Sequence, residues 1–228
     1  MEENGLGRSE QAHRLSDGVY VIQGDDGLRS GTDALMLARF ARLYPGEHMT
    51  ELCGGSGTVS LLLAAENPTV SVTLVELAEA LARRAERSAA LSGLSGRMTV
   101  VNGDIREFRA LFPDGGRMDA VAVNPPYLPV GSGEESLCDL RRLARHEVAC
   151  TLEDVLRAAA WLLRTGGRFY MVYRCGRMVD ALCEMRAAEI EPKRLTYVQA
   201  AAKPPSLFLI EGKKGGAPGL ILTEPMTP

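Results

Sequence analysis

The stretch MTELCGGSG, Met49 to Gly57, decides the fold. Residues 49–53 read as a short strand, the glycines after them as a turn, and residues 58–66 (TVSLLLAAE) as a helix. A strand that turns through glycine into a helix opens a βαβ unit. Outward from there the rhythm repeats. Residues 70–76 predict a second strand and 77–91 a helix rich in Ala, Leu and Arg. Residues 98–102 predict a third strand with a short helix near 105–111. Residues 118–124 (MDAVAVN) predict a fourth, stopped by Pro125-Pro126. Thr151-x-x-Asp154 has capping-box spacing and opens a helix to residue 164. A strand at 168–173, a helix at 178–188 and strands at 193–198 and 207–211 follow. These seven strands predict an α/β fold with a mostly parallel sheet and helices on both faces. Only 199–206, with Pro204-Pro205, separates the last two strands, so an antiparallel pair is expected at the edge. From Gly212 on, little regular structure is expected.

Ahead of this core, residues 19–23 (VYVIQ) predict a strand and Gly24-Asp25-Asp26-Gly27 a turn, together a short hairpin. Thr32 or Asp33 is placed to cap a helix through Ala41. One globular unit is expected: residues 1–45, hairpin and helix, packed on a core of 46–228. The polar, acidic start has no apolar core region of a signal peptide, and no apolar run reaches the ~18–20 residues of a membrane span. Five cysteines, odd in number and without CxxC, favour neither a disulfide framework nor a zinc site, and a cytoplasmic setting is the default.

Charge sharpens the picture. The 228 residues carry 26 Lys+Arg against 29 Asp+Glu, a net charge of −3, which excludes a polybasic nucleic-acid binder. Residues 1–127 hold 12 basic and 17 acidic groups, and 128–228 hold 14 and 12. The second half is therefore mildly basic, and the net charge does not exclude a local basic face.

Two features carry chemistry. Glu51 to Gly57 sits where a strand becomes a helix, so glycine lets backbone approach a ligand and the helix start offers free N–H groups. Glu76, 19 residues after Gly57, closes the next strand, where a carboxylate accepts hydrogen bonds from both ribose hydroxyls. Asp104, ending the third strand, is in reach of an adenine amine or caps the next helix. Gly55-x-Gly57 is followed by Ser60 where a dinucleotide site prefers a third glycine, which disfavours a dehydrogenase.

The second feature is NPPY, Asn124 to Tyr127, at the carboxyl end of the fourth strand. The Asn124 side-chain carbonyl and the Pro125 main-chain carbonyl can both accept from one planar NH₂ group. Proline fixes φ and donates no N–H, so the pair stays rigid. Tyr127 can stack on the flat group that carries the amine.

Together these residues resemble the S-adenosylmethionine-dependent amino-methyltransferases with a Rossmann-like fold. QGDDGLRSGTDALMLARFA, ELCGGSG, NGDIREF, NPPYLPVGSG and RLARHE are similar to one bacterial family in particular. That family methylates N6 of adenine-37, just 3′ of the anticodon, in a valine tRNA. The resemblance implies a seven-stranded sheet with the last strand antiparallel. It implies S-adenosylmethionine as cofactor and tRNA as partner, without metal or membrane. It places Glu51, Gly55 and Gly57 along the methionine part, with Thr32 and Asp33 over its end. Glu76 and Leu77 hold the ribose side, Asp104 and Ile105 flank the adenine, and Asn124, Pro125, Pro126 and Tyr127 hold the target amine. Two departures stand out: Cys53 replaces the usual first glycine of the loop, and Lys203-Pro204-Pro205 and the tail differ from the usual ending.

RNA contact is assigned to Arg141, Arg142, Arg145, His146 and Lys203, with Arg174, Arg177, Lys193, Arg194, Lys213 and Lys214 as further cations. For any single one, an ion pair on a solvated face is the simpler reading. Competing functions are methyl transfer to another amino group, such as a protein glutamine, an rRNA base or a DNA base, and a non-catalytic cofactor- or RNA-binding module.

Overall fold

The computed structural model describes residues 9–25, 31–125, 150–199 and 204–228. In chain order the elements are β1 (Glu10–Ser16), β2 (Val19–Gly24), α1 (Thr32–Phe40), β3 (His48–Leu52), α2 (Thr58–Glu66), β4 (Ser71–Glu76), α3 (Glu79–Leu91) and β5 (Met98–Asn102). Then come α4 (Phe108–Leu111), β6 (Met118–Val123), α5 (Leu152–Leu162), β7 (Leu163–Arg174), α6 (Met178–Ala187), β8 (Ile190–Val198), β9 (Leu207–Lys214) and β10 (Ile221–Leu222).

Eight strands form one sheet in the order β10-β8-β9-β7-β6-β3-β4-β5, and β1 with β2 forms a separate hairpin. The chain enters the large sheet at β3 and builds outward through β4 and β5. It then returns to β6, beside β3, and builds the other way. β3 and β6 are thus the neighbours where the winding reverses, the crevice in which such sheets bind ligands.

The sheet is buried on both faces, so its strands are almost continuously apolar. In β4 only Ser71 escapes full burial. Met49, Leu74 and Tyr170 pack toward Leu37, Leu61 and Ala85 on one face. Leu52, Val75 and Phe169 pack toward Val155, Leu156 and Met185 on the other. The Thr151 capping box forms as its spacing implies: Asp154 N–H donates to Thr151 Oγ1 at 3.1 Å, and Thr151 N–H to Asp154 Oδ2 at 3.0 Å.

Several expectations need correction. The hairpin turn is Asp17-Gly18, not Gly24–Gly27: Ser16 pairs with Val19 around a two-residue turn, with Gly18 at φ +73°. Gly18 supplies the positive φ that this turn requires. The cap of α1 is Gly31, without a side-chain bond; Thr32 is already the first helical residue. Helix α3 starts at Glu79, since the Glu76 carboxylate draws Ala78 N–H into the turn. The last long strand, β9, is antiparallel as expected, yet it is internal, between β7 and β8. The tail has little regular structure, as expected, but it carries β9 on to Lys214 and adds β10, a two-residue eighth strand parallel to β8.

The hairpin docks on α3 through side chains. Tyr20 N–H donates to Ser92 Oγ at 2.9 Å and Ile22 N–H to Ser88 Oγ at 2.8 Å. The Glu10 carboxylate takes Arg84 Nε at 3.0 Å and Arg87 Nη1 at 2.6 Å. Ser88 is fully buried and also donates to the Arg84 carbonyl at 2.7 Å. Ser88→Ala leaves the Ile22 N–H without its acceptor inside the protein. A loss of about 1–3 kcal/mol is expected in chemical denaturation. A change below about 0.5 kcal/mol, the range of an ordinary surface substitution, would remove Ser88 from this role.

Candidate active site

Register sets the site. Leu52 pairs with both Val75 and Val123, and Glu76 with Asn102. One residue beyond the Leu52 pairs, Cys53, Glu76, Asn102 and Asn124 stand in one row across the ends of β3, β4, β5 and β6. Strands lie about 4.8 Å apart, so Glu76 and Asn124, two strands distant, are separated by roughly 10 Å at the backbone. Pro125 follows Asn124 and is buried.

The glycine loop is held from two sides. Gly54 N–H donates to the Val75 carbonyl at 3.1 Å, and Gly55 N–H to Glu76 Oε2 at 2.8 Å. A β-carbon on Gly54 would meet Leu74 at 2.5 Å, so only glycine fits there. Gly57 caps α2 in the left-handed region at φ +87°. Cys53 is left-handed as well, at φ +55°, a conformation that a residue with a β-carbon disfavours. This explains why a glycine suits the position.

Glu76 is the buried acid of the site. Oε1 accepts Ala78 N–H at 2.8 Å and Oε2 accepts Gly55 N–H. Burial pushes its carboxyl above the usual range, while the N–H groups of Ala78, Gly55 and Leu77 pull it back. A carboxylate offers about four acceptor positions, more than these three N–H groups occupy, so capacity remains for a hydroxyl. Where a Gly55 β-carbon would stand there is open space. A carboxylate with spare acceptors beside an open backbone turn fits a nucleoside.

Glu51 has a different task. Its carboxylate is 2% exposed and is spent on Ser60, whose N–H donates to Oε2 at 2.9 Å and whose hydroxyl donates to the same oxygen. It holds the first turn of α2 from beneath the loop. Ser60 stands in place of a third glycine because it is this partner. Burial drives the Glu51 carboxyl up to about 7, opposed by both Ser60 bonds.

The remaining residues sort as follows. Asp104 caps the turn after β5 by accepting Arg106 N–H at 2.9 Å, and Arg106 Nε binds the same carboxylate at 2.9 Å. The Arg106 hydrogen bond holds its carboxyl below the usual value. Its capping role is thus the one observed. Ile105 is buried behind it, and Leu77 is exposed beside Glu76. Thr32 is exposed at the first residue of α1, with Asp33 next to it. Asn102 was not singled out from sequence, yet its Nδ2 donates to the carbonyls of Glu76 and Leu77 at 2.8 and 2.9 Å and pins that turn. The Asn-Gly-Asp run that ends β5 was its only signal. Lys193, Arg194 and Lys214 are tied internally, to Ala217 O, to Glu211 with Phe40 O, and to Ala160 O with Leu163 O. They are structural rather than free cations. Pro126, Tyr127, Arg141, Arg142, Arg145, His146 and Lys203 lie outside the described residues. No group of three or more metal-ligating side chains occurs among the described residues, and no helix there is long and apolar enough to cross a membrane.

A glycine loop and a buried carboxylate at the strand ends beside the switch point of a doubly wound sheet define a Rossmann-like α/β protein. The chain belongs to the methyltransferase small domain family, whose model matches residues 16–186. A tRNA1(Val) (adenine(37)-N6)-methyltransferase of Aeromonas hydrophila is 30% identical over 68% of this chain and 64% of its own length. A 4-amino-L-phenylalanine/4-methylamino-L-phenylalanine methyltransferase of Streptomyces pristinaespiralis is 36% identical over 67% of this chain and 53% of its own. The chain thus spans between half and two thirds of these two relatives. Among solved structures, a predicted O-methyltransferase of Agrobacterium tumefaciens matches with a TM-score of 0.69 at 21% identity, over 86% of each chain, which concerns the fold alone.

The buried Glu51 makes stability depend on pH. Its folded pKa of about 7 lies above its unfolded value of about 4.5. Between these values the folded state holds a proton that the unfolded chain has lost. Stability therefore falls as pH rises from about 4.5 to about 7 and levels off above, by up to a few kcal/mol. Glu51→Gln keeps an acceptor for Ser60 and removes the ionisation. Urea midpoints of this variant are expected to decline less across that interval; a slope equal to that of the parent protein would refute the assignment.

Proposed function

We propose that this protein transfers a methyl group from S-adenosylmethionine to the N6 amine of an adenosine in tRNA, adenine-37 of a valine tRNA. The single observation that carries this is the row that sets Asn124 two strands from Glu76 across the switch point. The match to the valine-tRNA enzyme of Aeromonas and the NPPY sequence support the choice of amine and substrate. A cytoplasmic setting goes with that substrate.

When bound, S-adenosylmethionine supplies a methyl group already activated by the positive sulfur. The protein's task is to hold, align and exclude water. Glu76 would accept from the ribose on its remaining acceptor capacity, and the open side of Gly55 would take the adjoining chain. Leu77 and Ile105 supply apolar surface for the adenine ring, and Asp104 stands beside them. Asn124 Oδ1 and the Pro125 carbonyl accept the two N–H bonds of the substrate amine. Acceptors that draw both N–H bonds to one face of the base would pyramidalise the nitrogen and free its lone pair toward the methyl carbon on the other face. Tyr127 stacks on the extruded base. The proton on nitrogen becomes acidic only after transfer, so no strong base is required. Arg141, Arg142, Arg145, His146 and Lys203 are assigned to the RNA backbone.

A second reading follows from the Streptomyces relative. The amine of 4-amino-L-phenylalanine, like adenine N6, is planar and conjugated to an aromatic ring, so the same two acceptors would serve a small aryl amine. Labelled methyl transfer to valine tRNA and to 4-amino-L-phenylalanine, side by side, decides between them. Mass spectrometry of digested tRNA from cells with and without the gene then locates N6-methyladenosine. Labelling of the amino acid but not of RNA would overturn the tRNA reading.

Asn124→Ala is expected to lower turnover by on the order of 10²–10³ with cofactor affinity within about threefold, since it removes one donor–acceptor contact made in the transition state. Lost cofactor affinity with normal turnover at saturation would refute that role. Glu76→Gln is expected to do the reverse, weakening cofactor binding by about 10–100-fold, the value of a charge-assisted hydrogen bond, as read by calorimetry. Unchanged affinity would remove Glu76 from the ribose.

A further inference from the structure

Cys53 and Cys150 are 97 residues apart in the chain, yet their thiols stand 3.9 Å from each other. Cys53 opens the glycine loop. Cys150 is buried and directly precedes the Thr151 capping box of α5. Two thiols at van der Waals contact need to approach by roughly a further 2 Å to reach the bond length of a disulfide. The two anchors are unequal. Cys150 is joined to Thr151, whose N–H and hydroxyl are held by the capping box, whereas Cys53 sits in a left-handed conformation at the start of a turn.

We propose that Cys53 and Cys150 are an oxidisable pair that reacts with a peroxide and, once joined, holds the glycine loop away from its cofactor-binding shape. This rests on the reading of that loop as the cradle for S-adenosylmethionine. In the first step one thiol attacks a peroxide oxygen, giving a sulfenic acid and water. In the second the other thiol attacks that sulfur, forming the S–S bond and expelling a second water. Two thiols and one hydrogen peroxide thus give one disulfide and two waters, with two electrons passing from sulfur to oxygen. The movement falls on Cys53 and its neighbour Gly54, whose N–H is on Val75 O and whose α-carbon is packed against Leu74. Displacing Gly54 displaces Gly55 N–H from Glu76. The Cys150 contact and burial both push the Cys53 thiol well above its usual range, so little of it is thiolate near neutral pH and the first step is slow.

The test uses the full chain, reduced and then treated with hydrogen peroxide, with the excess removed. Peptide mass mapping is expected to find a Cys53–Cys150 cross-link. Calorimetry is expected to show S-adenosylmethionine affinity at least about tenfold weaker, about 1.4 kcal/mol, and restored by dithiothreitol. Cys150→Ala and Cys150→Ser are expected to bind the cofactor as the reduced parent does and to ignore peroxide; their reduced affinity also reports that they fold. A cross-link that is absent, that runs instead through Cys138, or that leaves affinity unchanged overturns the proposal. If the reduced parent itself binds no S-adenosylmethionine, the cofactor reading falls and this inference with it. Normal binding by the reduced parent with indifferent binding by the oxidised form removes this inference alone.

Discussion

The carboxylate of Glu76 is the constraint on which the site depends. It lies buried at the end of β4, where an isolated charge is costly, and it is stabilised by main-chain N–H groups on both sides. One of these belongs to its own turn and starts α3. The other belongs to Gly55 and shapes the loop after the neighbouring strand. One side chain thereby joins two βα connections and leaves acceptors pointing into the open space beside Gly55. Asn102, from the third strand, closes the same turn from the far side by holding the carbonyls of Glu76 and Leu77.

Glu51 shows what the same chemical group does one strand away. Both carboxylates are buried and raised, but Glu51 Oε2 accepts twice from Ser60, whereas Glu76 spreads its bonds over two βα connections. Glu51 thereby supports the first turn of α2, and hence the loop, from below. It also accounts for Ser60, which reads from sequence only as a missing glycine. Cys53, between Asn124 and Glu76 in the row, has a cost of its own: a left-handed backbone where glycine would be at ease, beside a second thiol.

Much of this was legible beforehand. The alternation of short apolar runs with helical stretches predicted the parallel core, because strands buried on both faces must be apolar throughout. The positions of Glu76 and Asn124 at strand ends followed from the same pattern. The misreadings have local causes. Gly24-Asp25 and Asp17-Gly18 are similar turn signals, and the choice between them was made by Ser88 and Ser92 on a helix some 70 residues away. The tail reads as a coil because Gly215-Gly216 interrupts it, yet β8 offers an edge on which two residues suffice to pair. Lys193, Arg194 and Lys214 read as cations for RNA, and only packing revealed the carbonyls they hold.

The sequence alone determined the α/β class, the glycine loop, the acid that answers it and the NPPY corner. Periodicity and proline or glycine chemistry act over a few residues and need no knowledge of the fold. The tertiary structure decided what those residues face. Strand order brought β6 beside β3 and so placed Asn124 in the row of Glu76. It turned Glu51 inward and Asp104 onto Arg106, and it brought Cys53 to Cys150. Each of these depends on distances between segments far apart in the chain, which are set by the packing of the sheet and its helices.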